Sequence, residues 1–191
     1  MSTSSDTHWS GIIGPHGGYL GLKSYRGSEI IYDATVVFCD RFIDRRSRTH
    51  DQMVQAARSG KQNIAEGSMA SGTSRKTELK LVGVARASLE ELLIDYQDFL
   101  RQRAMPLWPM ADSRVQTIRR LAYMPDKSYK TYESLLKTPE SAANTLVCLV
   151  HQTNYLLDQQ LRQLDQQFQK EGGFTEKLYR YRSENRSRPV K

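Results

Sequence analysis

A chain of 191 residues suits one domain and can bury a sizeable core. No run approaches the roughly 20 apolar residues of a membrane span, and the N-terminus lacks the basic-then-apolar order of a signal peptide, so a chain without membrane attachment is expected. The net charge of +7 is segregated: Arg101 to Lys137 holds eight Lys or Arg against three acids, Glu171 to Lys191 six against three, and the rest is nearly neutral. Such segregation fits a partner with negative charge, most often nucleic acid, and equally fits charge that serves solubility.

The first 23 residues are rich in Ser, Thr and Gly and read as a flexible N-terminal arm. A phosphate-cradling glycine loop around His16 would need a strand before it, and no strand pattern precedes it. A first helix is expected over Ser28–Ile43, with Ser28 as N-cap and Ile31, Ala34, Phe38 and Phe42 inward. The turn from Asp40 to Arg48 carries arginines that can meet phosphates, but Asp40 and Asp44 stand close enough to pair with them. A second helix follows over Thr49–Gly67, with Thr49 as cap and Gly67 at its end. Its seam of Met53, Ala57, Gly60, Ile64 and Gly67 has small residues that let a partner helix approach closely. Asn63 and Glu66 lie at the edge of that seam.

After a loop at Ser68–Ser74, a third helix is expected from Arg75 to about Gln102, ended by Pro106 and Pro109. The stripe Val82, Leu89, Leu93, Tyr96 and Leu100, with a second row beside it, marks a helix buried among several neighbours. Arg75 and Lys76 stand in its first turn, where the macrodipole disfavours cations. With Ser71, Thr73 and Ser74 and free backbone N–H groups they suit a phosphate, or are ordinary exposed charge.

The connector 103–138 is long for a bundle. A short helix at Ser113–Tyr123 and a turn or two around Ser128–Lys137 are expected within it. Its Arg114, Arg119, Arg120, Lys127 and Lys130 are interleaved with Trp108, Tyr123, Tyr129 and Tyr132. Cations plus stacking rings are what single-stranded nucleic acid needs, and rings that dock a decoration onto the bundle look the same. A fourth long helix is expected over Pro139–Lys170, capped by Thr138 and stopped at Gly172-Gly173. Asn154 in its seam can fix register or oligomeric state. Residues 171–191 read as a basic tail, helical or disordered. Cys39 and Cys148 each fall in an apolar run, where a buried thiol is expected over a disulfide, and a cytoplasmic setting follows.

Chemistry has few footholds. A di-iron bundle needs Glu-x-x-His pairs, but Ser47 and Cys148 stand three before His50 and His151. HExxH, paired CxxC and GxSxG are lacking, so no enzyme, metal site or cofactor is expected.

Asn63-Ile64-Ala65-Glu66-Gly67, preceded by Asp51-Gln52 and Ala56-Ala57-Arg58-Ser59, resembles a motif of a four-helix-bundle family. That family includes proteins encoded in intervening sequences of large-subunit ribosomal RNA genes and accessory variability proteins of diversity-generating retroelements. Ala87-Ser88-Leu89-Glu90-Glu91-Leu92 resembles its second motif, so Asn63, Glu66, Gly67, Ser88 and Glu91 are its motif residues here. His151 to Leu157 and the connector resemble the suffix-domain branch. The resemblance implies an antiparallel up-down-up-down four-helix bundle spanning 24–170, a homo-oligomer, commonly a pentamer, and no catalysis. Some relatives bind nucleic acid and a reverse transcriptase through a basic ring surface. This chain departs at Gly60, where a larger apolar residue is usual, in its neutral bundle and in its long connector. RNA or DNA, a protein partner and a second copy are the partners expected, with no membrane.

Overall fold

The computed structural model describes residues 16–186, and every regular element among them is helical, with no strand. In chain order these are α1 (Lys23–Phe42), α2 (Arg48–Ala70), α3 (Arg75–Gln102), α4 (Ser113–Leu121), α5 (Pro139–Glu171) and α6 (Phe174–Arg186). Short 3₁₀ segments stand at Tyr19–Gly21 and Tyr129–Leu136. The all-α expectation holds. No helix among the described residues is long and apolar enough to cross a membrane.

The long helices close a ring of contacts, α1 against α2 and α5, α3 against α2 and α5. Ile31, Ala34 and Phe38 of α1, Met53, Ala57 and Ile64 of α2, Val82, Leu89, Leu92 and Tyr96 of α3 and Leu146, Val150 and Leu157 of α5 are fully enclosed between them. Phe38 meets the edges or faces of Phe42, Tyr96 and Phe99 with centroids 5.4, 5.0 and 4.8 Å away. One polar pair in this layer is satisfied within the core. Tyr96 donates to Thr35 Oγ1 at 2.8 Å, and Thr35 donates onward to the Ile31 carbonyl at 2.6 Å.

Several boundaries differ from the sequence reading. The first helix begins at Lys23, not Ser28; Ser28 is buried inside it and its hydroxyl donates to the Tyr25 carbonyl. The reason lies across the core. A Cβ on Gly27 would stand 2.5 Å from Thr153 Oγ1, so that glycine is the point of closest approach of α1 to α5 rather than a break. The second helix is capped by Ser47, whose side chain accepts from Thr49 N–H, and runs past Gly67 to Ala70. Gly67 is buried within it, with a Cβ there only 3.4 Å from the Glu78 carbonyl and Leu81. The expected arm is in part packed: residues 1–15 lie outside the described residues, but Gly17 donates its N–H to the Ser68 carbonyl and Tyr19 meets Tyr25 edge-on at 4.8 Å.

The expected fourth helix is α5, and it was the most legible element. Thr138 accepts from Ser141 N–H, Pro139 takes the first turn, and Gly172 ends the helix at φ 70° with its N–H on the Phe168 carbonyl. Its 33 residues span about 50 Å. Residues 142–150 are buried on every side, because α4 and the second 3₁₀ segment cover the face that the long helices leave open. Beyond Gly172-Gly173 the tail is helical as α6, while Arg188 and its neighbours lie outside the described residues.

Candidate nucleic-acid interface

The connector is fastened to α5 by one clasp. Asn144 accepts from the Trp108 N–H at 2.7 Å and donates to the Pro106 and Glu140 carbonyls at 3.0 Å each. The Trp108 indole donates to Glu140 at 2.8 Å, and the Arg114 guanidinium lies 3.8 Å over its ring. Asp112 caps α4 and accepts two further bonds from the Arg114 side chain at 3.0 and 2.7 Å, while Glu140 stands 3.5 Å from the same guanidinium. The side-chain bonds from Arg114, then its N–H, hold the Asp112 carboxyl below the usual range, and Asp112 in turn raises the guanidinium. Arg114 is thus engaged within the chain, with half of its side chain still exposed. Asn144 was missed from sequence because an Asn on an apolar helix carries no mark of its partner.

The rings are divided by burial. Tyr132 was expected as a stacking platform, and the structure corrects this: its ring is 0 % exposed, packed in the core, and burial pushes its hydroxyl up to about 12. Trp108 is buried under Arg114 and Tyr129 is half-buried against the core. Of these connector rings Tyr123, at 89 % exposure, stands in solvent.

The cations are divided too. Arg119, Arg120 and Lys130 are exposed and Lys127 half-exposed, at the end of α4 and the start of the 3₁₀ segment. Arg120 donates to Thr117 at 3.3 Å, and among the described residues none of the four forms an ion pair. Arg119 and Arg120 stand in the last turn of α4, where the macrodipole favours them.

The N-terminus of α3 is differently built. Ser74 caps it, accepting from the Thr77 N–H and hydroxyl, and Arg75 pairs with Glu78 at 3.2 Å. Burial raises the Glu78 carboxyl, and the Arg75 charge works against that rise. The turn therefore holds its own anion, and Lys76 is exposed beside it.

Of the motif residues, Asn63 donates to the Ser59 carbonyl and hydroxyl, and Ser59 shares a 3.0 Å bond with Ser88 across α2 and α3. With Gly67 these tie two helices together, whereas Glu66 and Glu91 are exposed. Asn154 donates to Glu90 at 3.1 Å within one chain. A cleft of about 310 Å³ between the α1–α2 turn and the end of α3 is lined by Asp44, Asp95, Asp98 and Arg103 among others. Burial, then Asp98 and Glu91, raises the Asp95 carboxyl, which sets this acidic cleft apart from the basic connector. No family model matches the chain, and neither the curated proteins nor the solved structures hold a match to it.

Proposed function

We propose that this chain is a non-enzymatic, self-associating binding protein that contacts the phosphates of RNA or DNA through its connector. One observation carries the reading. Some cations of the long helices are spent on partners within the chain, such as Arg86 on Glu90 and Asp158 and Arg101 on Asp98, whereas Arg119, Arg120, Lys127 and Lys130, gathered in one stretch of twelve residues, form no ion pair among the described residues. Four unpaired cations on one short stretch favour a polyanion. The burial of Trp108 and Tyr132 favours backbone contact over base stacking.

The helix contacts support an antiparallel up-down-up-down order as the scaffold. Ser24 meets Gln160, Arg86 meets Asp158 while Glu90 meets Asn154, and Gly60 lies against Leu89 while Gly67 lies against Glu78. The resemblance of the Asn63–Gly67 and Ala87–Leu92 stretches to the ribosomal intervening-sequence bundle family supports the same reading. Two buried free cysteines fit a reducing, cytoplasmic setting. The competing reading is a protein-interaction module, favoured by the clasp that docks the connector onto α5.

The test is salt-dependent binding to RNA and DNA. Replacing Arg119, Arg120, Lys127 and Lys130 with Gln should weaken binding and lower the log–log salt slope by about one per lost contact. Tyr132→Ala should instead cost stability. Absence of binding at low salt leaves the protein-interaction reading.

A further inference from the structure

The outer side of α3 carries a second seam that the bundle does not use. Lys80, Val84, Ala87, Glu91 and Ile94 recur at spacings of four and three, and all are exposed, Val84 at 40 % and Ile94 at 52 %. Heptad spacing of apolar and small residues on an outward face is the pattern of a helix that pairs with another helix. Gly83 lies alongside, with nothing within 4 Å of where a Cβ would be, so a second backbone can come close there.

The charges in the seam suggest which helix. Lys80 and Glu91 make no ion pair among the described residues. They stand eleven positions apart, about 16 Å along the axis, too far to meet each other on one helix. Turn a second α3 antiparallel about an axis between Val84 and Ala87, and the stripe becomes complementary to itself. Lys80 then faces the partner's Glu91, Val84 faces the partner's Ala87, and Ile94 faces the partner's Thr77. One twofold operation satisfies both charges and covers Val84, Ala87 and Ile94.

We infer that α3 is an isologous docking surface for a second copy of this chain, joined antiparallel with Lys80 opposite Glu91. The inference rests on the self-association proposed above and names its surface. Light scattering of the full chain at micromolar concentration should give twice the chain mass. Lys80→Glu and Glu91→Lys each set like charges across the axis and should shift the mass toward the monomer. The double variant reverses both partners and should restore the dimer. Ala87→Glu should give the monomer, with an unchanged helical circular dichroism signal because the side chain is exposed. A monomeric native chain overturns self-association and this surface together. An assembly of more than two chains, or a dimer that ignores all these changes, overturns the α3 surface and leaves self-association standing.

Discussion

Cys39 and Cys148 show how a residue's surroundings set its chemistry. Burial, with Asp40 and Asp95 nearby, pushes the Cys39 thiol up to about 12, and burial pushes Cys148 up to about 11. Both are held neutral in the folded chain, where they are poor nucleophiles. The linkage sign follows. Above pH ~9 the unfolded chain releases thiol protons that the folded chain retains, so stability present below that pH is lost as pH rises toward 11–12. Each thiol should add a slope of about 1.4 kcal/mol per pH unit in that window. Urea unfolding at several alkaline pH values should show it, and Cys148→Ala should flatten the curve; an unchanged slope would discount the thiol.

At the scale of elements, glycines separate what sequence disclosed from what it hid. Gly60 in a seam of small residues was legible as a close approach, and a Cβ there would stand 2.7 Å from Leu89. Gly27 was not, because its contact, Thr153, is far away in sequence and Gly after Lys-Ser-Tyr-Arg reads locally as a loop. Helix ends set by local chemistry, Thr138-Pro139 and Gly172, were legible for the same reason that Tyr132 was not. A cap is decided within four residues, but a ring's burial is decided by the helices around it. Gly27→Ala should lower stability by about 1–3 kcal/mol through overpacking against the buried, β-branched Thr153, despite alanine's better helix propensity. A stabilised variant in thermal unfolding would show that α1 and α5 have room to part.

For the whole molecule, the connector belongs to the fold. Without it one face of the run 142–150 of α5, now buried all round, would meet water. Trp108→Ala should cost about 3 kcal/mol or more and loosen α4, which hydrogen exchange at residues 113–121 would register. Protection equal to the native chain there would make the clasp incidental. The run of cations was legible from the sequence alone, whereas the burial of Tyr132 and the contacts that engage Arg114 required the packing of α5.

The pairing of the first long helix with the last also sets a timetable for synthesis. Ser24 reaches Gln160 across 136 residues of sequence, while α2 and α3 are joined by a short turn and can pair as soon as both are made. At ~5–20 residues per second the face of α1 that α5 covers waits on the order of ten seconds for its partner to emerge. During that interval Ile30, Ile31 and Phe38 depend on the α2–α3 hairpin, or on a holding chaperone, for shelter. A basic connector leaves the ribosome in the same interval, beside the phosphates of ribosomal RNA.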